Sequence, residues 1–400
     1  MKILYLSRAL LPSEVSHSLS IMRFCQAFTD SGHELVLTGV APKKGVPDPI
    51  AYFGLRGGFR VVVNSTSRLW DNRFLRPLLV PGFVLAWKTR RLLRTFDPDL
   101  VYSRLTSTEL ALVPTRLPII YEMHSLGHLG KSFLHQRVFR WLLRHKNVFR
   151  IIVTTDALAE MLRAELPGVD VRIARLSAEL PVTISYETQL AFRSSQLKGG
   201  IFKYHVGYTG YLDTIGLRGT EIICRAAARM PEAAFHIVGG DPETVAHWRR
   251  YADDHNAHGN IFFYGYRNPS EMPLFLGCFD VVLAPLQSKP SPRAPSGLNM
   301  SPLKIPQYMS YAKAIVASDL PSHREVLTDG ETAVLVLPSD IDAWVAAIQF
   351  LLDDPKCRET LGRNAKEQYF EGYSPELRVR RILDGIIPQA ALKTSEQARR

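Results

Sequence analysis

Short apolar runs, each followed by a turn and then by a stretch with apolar residues every three or four positions, recur along the chain. That alternation is the signature of buried parallel strands joined by amphipathic helices. Ile3 to Leu6 leads through a loop with Pro12 into a helix over about Ser20 to Ser31, and Gly32-His33 hands over to a strand at Glu34 to Leu37. A helix over Val84 to Thr95 precedes Leu100-Val101-Tyr102, and strands follow at Pro118 to Glu122 and Arg150 to Thr154, with a helix from Asp156 to Leu166. After a polar stretch, Ser185 to Lys203, the pattern restarts: His205 to Thr209, a helix over Thr220 to Arg229, then Phe235 to Val238, Ile261 to Tyr264, Val281 to Ala284, Ala314 to Ala317 and Ala333 to Val336. The expectation is α/β: two Rossmann-like, doubly wound domains with a cleft between them. The predicted boundaries are 1–184 for an N-terminal acceptor-side domain, 185–204 for a linker and 205–372 for a C-terminal domain. Residues 373–400 are expected to carry a helix that packs back on the first domain, then a frayed tail.

Bulk composition narrows the class. At 400 residues and 46% hydrophobic, the chain can fill two cores. Its four cysteines, Cys25, Cys224, Cys278 and Cys357, lie far apart, which argues against a disulfide framework or a zinc module and for a reducing cytoplasm. The apolar start is too short for a secretory signal, and the run Leu78 to Trp87 is about half of the ~20 residues that span a bilayer. Net charge is +11, and residues 56–150 alone hold 17 Lys plus Arg against five acids, so the excess is regional. Trp70, Trp87, Phe133 and Trp141 are interleaved with those bases. No nucleic-acid-binding module accompanies them, and a peripheral contact with anionic membrane through residues 56–150 is the expectation, against a plain solvated basic face.

Chemistry is sought in the loops beyond the carboxyl ends of the strands. Four stand out. Gly207-Tyr208-Thr209-Gly210-Tyr211-Leu212, followed by Leu217-Arg218-Gly219, offers close backbone approach and a guanidinium suited to phosphate. Val238-Gly239-Gly240-Asp241-Pro242 is a turn after a strand. Tyr121-Glu122-Met123-His124-Ser125 ends a strand, and His124 could donate to a substrate hydroxyl or stabilise developing charge. Met300-Ser301-Pro302-Leu303-Lys304 opens a helix whose N-H groups, with the Lys304 charge, suit an anion. His124, His128 and His135 lack companion ligands for a metal, and Asp97-Pro98-Asp99, lying between a helix and a strand, reads as a turn.

In order, these pieces resemble the family-4 glycosyltransferases of the GT-B type, retaining enzymes that use nucleotide sugars. The matching residues are Ser16-His17-Ser18 in an N-terminal loop, Cys25 to Phe28, Gly32-His33-Glu34, Tyr121-Glu122-x-His124, Gly207 to Gly210, Arg218-Gly219, Val238 to Gly240, Gly265 to Glu271, and MSPLKxxxYM through Pro321, as in the SPLK subgroup. The resemblance implies a metal-independent hexosyltransferase needing no cofactor beyond its nucleotide-sugar donor. His124 would lie at the donor sugar, Arg218 and Lys304 at the diphosphate, Gly265 and Tyr266 near the base, and Gly210, Tyr211, Gly239, Gly240, Ser301 and Leu303 along the donor. Of the family's glutamate pair, the first position is Asn299 and the second, on the ribose, is Gln307. An amide there forms weaker hydrogen bonds than a carboxylate. Pro306 is expected to remove a helical hydrogen bond, and Arg218 and Tyr211 stand where lysine and a basic residue are common. A glycan or lipid-linked acceptor at the inner membrane face is implied. A non-catalytic nucleotide or sugar binder and a sugar-nucleotide epimerase are the alternatives.

Overall fold

The structure is a computed structural model, described here for residues 1–13, 16–42, 47–64, 80–124, 133–145, 147–178, 180–257, 259–287 and 304–386. It divides into two compact units, Met1–Arg175 with the chain from Glu376, and Leu176–Pro375.

Among the described residues the first unit holds seven strands: β1 (Lys2–Leu6), β2 (Glu34–Val40), β3 (Arg60–Asn64), β4 (Leu100–Ser103), β5 (Ile119–Met123), β6 (Val148–Val153) and β7 (Asp170–Ile173). They form one parallel sheet in the order β3-β2-β1-β4-β5-β6-β7. Central strands are buried on both faces, which is why they read as continuous apolar runs. One core, around Leu4, Val101, Ile119 and Ile151, lies on one face of the sheet, and another, around Tyr5, Phe28, Tyr102 and Ile152, on the other.

The second unit repeats the plan with β8 (Tyr204–Thr209), β9 (Ala233–Val238), β10 (Ile261–Gly265), β11 (Val281–Ala284), β12 (Ala314–Ser318) and β13 (Val334–Val336), in the order β10-β9-β8-β11-β12-β13. All its neighbouring strands run parallel. Gly207 in β8 is required by packing, since a Cβ there would sit 2.0 Å from the Phe279 ring.

Some expectations need correction and others are met. The first helix begins at Ser16, so the expected N-terminal loop residues Ser16, His17 and Ser18 form its first turn. Ser18 is buried there, with Oγ donating to the Leu10 carbonyl at 2.9 Å. The expected linker contains a helix, Tyr186–Ser195, because Ser185 caps it and Phe192 packs on Phe275 in the second unit's core. The edge strands β3 and β7 escape the pattern because most of their described residues are partly buried or exposed. The Asp97-Pro98-Asp99 segment is a turn, with Asp97 at φ 48 and the Asp99 carboxylate accepting from the Lys2 N-H at 2.8 Å. The helix Pro375–Leu383 buries Val379 and Ile382 in the first unit's core.

The second unit buries a hydrogen-bonded chain beneath its sheet: His205 Nδ1 lies 2.9 Å from His236 Nε2, and His236 Nδ1 lies 2.9 Å from the Tyr264 hydroxyl. Burial, then the neighbouring His205 and Arg193, pushes His236 down to about 3. The unfolded chain therefore binds the proton first, and stability falls as pH drops from about 6.5 towards 3. Between pH 7 and pH 5 the expected loss is about 2 kcal/mol from this group. Thermal melts across that range check it, and His236→Gln should flatten the slope.

Candidate functional site

Strand order in the second unit reverses beside β8: the chain runs outward to β9 and β10, then returns to β11 on the other side. A crevice at such a reversal is where open α/β sheets bind ligands. The loops there are fastened to one another. The Gly210 N-H donates to the Val238 carbonyl at 2.9 Å, and the Gly239 N-H donates to the Gly265 carbonyl at 2.8 Å. Gly239 has φ 133, and a Cβ on it would lie 1.9 Å from the Gly210 oxygen. Gly240 and Gly265 also have positive φ, and Tyr266 follows half-exposed. These glycines form a backbone seam across the ends of β8, β9 and β10.

Asp213 shapes the next segment. Its carboxylate accepts from the N-H groups of Ile215, Leu217 and Arg218, each at 3.0 Å, and its carbonyl accepts from the Trp248 indole at 2.8 Å. Gly219, at φ 72, then starts the helix Thr220–Arg229 against the Pro285 carbonyl. The half-buried Arg218 is thus placed by its backbone, with its guanidinium 5.9 Å from the centroid of the Tyr211 ring.

Lys304 approaches the same loop from the helix Lys304–Ser310. Its Nζ is 3.6 Å from the centroid of the buried Tyr208 ring and 3.5 Å from where a Gly210 Cβ would stand. The helix is tied down by Tyr308, whose hydroxyl accepts from the Thr209 N-H at 2.9 Å. Burial first, and the Arg218 charge second, pull Lys304 well below the usual lysine range, with Asp213 opposing. Among the described residues neither Arg218 nor Lys304 has a carboxylate partner in an ion pair. Arg218 and Lys304, without an ion-pair carboxylate among the described residues, thus stand beside a glycine seam, an arrangement whose chemistry suits an anion.

Gln307 is half-buried on the same helix, and Pro306 beside it is buried. Asn299, Ser301 and Leu303 lie outside the described residues. His323, absent from the sequence expectations, is buried with its Nδ1-H donating to the Ser318 carbonyl at 2.7 Å, and burial pushes it down to about 4. Its signal was faint: a histidine just after Pro321, which opens the helix Pro321–Arg324 following β12.

The first unit has its own cluster, at the carboxyl ends of β1, β4 and β5. Glu122 and His124 are two positions apart at the end of β5 and so share a face. The His124 Nε2 lies 2.7 Å from Glu122 Oε1, the same oxygen accepts from Arg378 Nη2 at 2.8 Å, and Glu122 Oε2 accepts from the Tyr102 hydroxyl. Burial would raise the Glu122 carboxyl, but Arg378, Arg104 and His124 hold it well below the usual range. An ionised Glu122 can only accept, so the contact takes up the His124 Nε2-H. Arg104 Nη2 stands 3.2 Å from the His17 Nδ1, which brings the first helix to the cluster. Glu122, Arg104 and Arg378 were not expected as site residues. A glutamate inside an apolar strand run was the available signal.

Among the described residues no helix is long and apolar enough to cross a membrane, and no three His, Cys, Asp or Glu side chains form a group able to hold a metal.

Comparison with known proteins gives two family matches: Glycosyltransferase Family 4 over residues 18–175 and Glycosyl transferases group 1 over residues 203–354. The chain is 25% identical over 362 residues to a phosphatidyl-myo-inositol mannosyltransferase of Mycolicibacterium smegmatis, covering 87% of this chain and 84% of that protein. Among solved structures, HepE from Anabaena in complex with UDP and glucose superposes with a TM-score of 0.71 at 17% identity, covering 96% of this chain and all of that one (100%). Sucrose-phosphate synthase from Thermosynechococcus elongatus gives a TM-score of 0.69 at 18% identity, with 100% of both chains covered. One family match falls on each of the two parallel sheets: the chain belongs to the family-4 glycosyltransferases of the GT-B type.

Proposed function

We propose that this transferase moves a hexosyl group from a UDP- or GDP-linked sugar to a glycan or lipid-linked acceptor in cell-envelope synthesis, with retention and without a metal ion. The observation that carries the reading is the pair Arg218 and Lys304, two cations without carboxylate partners among the described residues, at the reversal point of the second sheet. A departing nucleoside diphosphate concentrates negative charge where such cations act, and charge stabilisation of this kind is a large term in catalysis. In this reading the nucleotide leaves from the face on which the acceptor enters, the glycine seam runs along the donor, and His124 orients the sugar.

The name of the mannosyltransferase relative supports a lipid-linked acceptor. So does the helix Val80–Phe96, where Trp87 is 71% exposed among Lys88, Arg90, Arg91 and Arg94, and so does Trp141, 45% exposed beside Arg140 on the helix Phe133–His145. Exposed indoles among bases suit an anionic lipid surface reached from the cytoplasmic side.

A panel of UDP- and GDP-hexoses, assayed for nucleotide release and sugar transfer with and without anionic vesicles, tests this reading. One donor should turn over, low-salt vesicles should bind the protein, and Gln307→Glu should lower the donor KM about fivefold, the gain of roughly 1 kcal/mol from a charged acceptor. A wild type that binds no donor, with no gain in Gln307→Glu, removes the enzyme reading. Free epimerised sugar without transfer would assign the fold to an epimerase instead.

A further inference from the structure

We propose that Glu122 and Arg378 are positioning residues for His124: they fix its ring proton on Nε2, so that Nδ1 meets a hydroxyl of the bound sugar as a hydrogen-bond acceptor. The proposal rests on the transferase reading and deepens it.

The Glu122 side chain is 0% exposed and its carboxylate engages three side chains, Tyr102, His124 and Arg378. A carboxylate only accepts, so an ionised Glu122 dictates that His124 donates through Nε2. His124 is itself held below its usual range by burial and by Arg104, which keeps the ring neutral near pH 7. A neutral ring with its proton on Nε2 has a lone pair on Nδ1. The His124 side chain is 32% exposed, so part of it remains accessible. The remaining titratable and charged neighbours are Tyr5 on β1, Arg104 after β4 and His17 on the first helix.

Arg378 is the unusual member. It is carried by the chain after it has completed the second unit, returns 256 positions along the sequence to Glu122, and lies 4% exposed with its guanidinium 4.3 Å from the centroid of the Phe24 ring. Burying such a pair gives little net stability compared with apolar side chains of the same volume. Its specific product is orientation: with both partners fixed, the Glu122 oxygen that receives the imidazole proton cannot rotate away. A donor hydroxyl presented to Nδ1 then finds a preset acceptor, and presetting of this kind raises rate when geometry is tight.

Selective 15N labelling of histidine reads the tautomer directly, with His124→Gln assigning the signal. The wild type near neutral pH should show a bare Nδ1 and a protonated Nε2. Glu122→Gln keeps the volume but not the charge, and should give a mixture of tautomers with kcat lowered by roughly tenfold and donor KM changed far less. Arg378→Lys should recover part of that rate relative to Arg378→Met. The double variant Glu122→Gln/Arg378→Met leaves no buried charge unpaired within the pair and should be slow while still folded. A wild-type proton on Nδ1 overturns the proposal, as does a folded Glu122→Gln that keeps the wild-type tautomer and kcat. The tautomer needs no donor, so a protein that transfers no sugar can still pass or fail here, while an active enzyme with the other tautomer sinks this proposal alone.

Discussion

Replacing Lys304 with methionine is expected to lower kcat by about 100- to 1,000-fold, the range seen when one preorganised charge-stabilising group is removed. The reasoning starts from cost. Lys304 is held half-buried against Tyr208, with Arg218 near enough to depress it and no carboxylate partner among the described residues. A protonated amine in that position is unfavourable until an anion arrives, and methionine of similar length would pack there without the charge. Lys304→Met should therefore melt at the wild-type temperature or above it while losing activity, the pattern of a strained functional group. Parallel melts and steady-state rates check both halves. A variant within threefold of the wild-type rate would show that the charge does not stabilise the leaving group.

Gly219→Ala is expected to cost about 2–4 kcal/mol in the second unit and to abolish donor binding. Gly219 has φ 72, a left-handed conformation that a side chain strains, and its Cβ would lie 1.6 Å from the Pro285 carbonyl oxygen. The neighbour is backbone at the end of β11, so it cannot swing aside. Relief would require the loops after β8 and β11 to part, and Gln287 N-H, which donates to the Leu217 carbonyl at 2.9 Å, holds them together. Because Arg218 precedes Gly219, the shift would displace its guanidinium too. Gly216→Ala is the control: φ is 76 there, but the nearest atom to a new Cβ is Glu221 Oε2 at 3.7 Å, so only about 1 kcal/mol of backbone strain is expected. Urea midpoints of the two variants should separate clearly. Equal midpoints would mean that the β8 and β11 loops yield.

What could be read from the chain alone followed from how each feature is encoded. The central strands β1, β8, β11 and β12 are buried on both faces, so their apolar runs were visible, while β3 and β7, with partly buried residues, were not. Arg218 and Lys304 could be singled out because the stretches Gly207 to Gly219 and Met300 to Lys304 combine glycine or a helix-start residue with a cation close together in the sequence. The Glu122 cluster was illegible beyond His124, since its meaning depends on Arg378 from the far end of the chain. Gln307 keeps the question it raised. It sits half-buried on the helix that carries Lys304, and an amide there makes weaker hydrogen bonds than a carboxylate would.

The most direct measurement is calorimetric titration of the wild-type chain and of Arg218→Met/Lys304→Met with UDP and with GDP at low salt. One of the two nucleotides should bind the wild type at a single site, and the double variant should bind it about 100-fold more weakly, the loss of roughly 2.7 kcal/mol expected for two charge-assisted contacts. Wild type that binds neither nucleotide, or a folded double variant that binds as tightly as wild type, would contradict the assignment of Arg218 and Lys304 to the donor diphosphate.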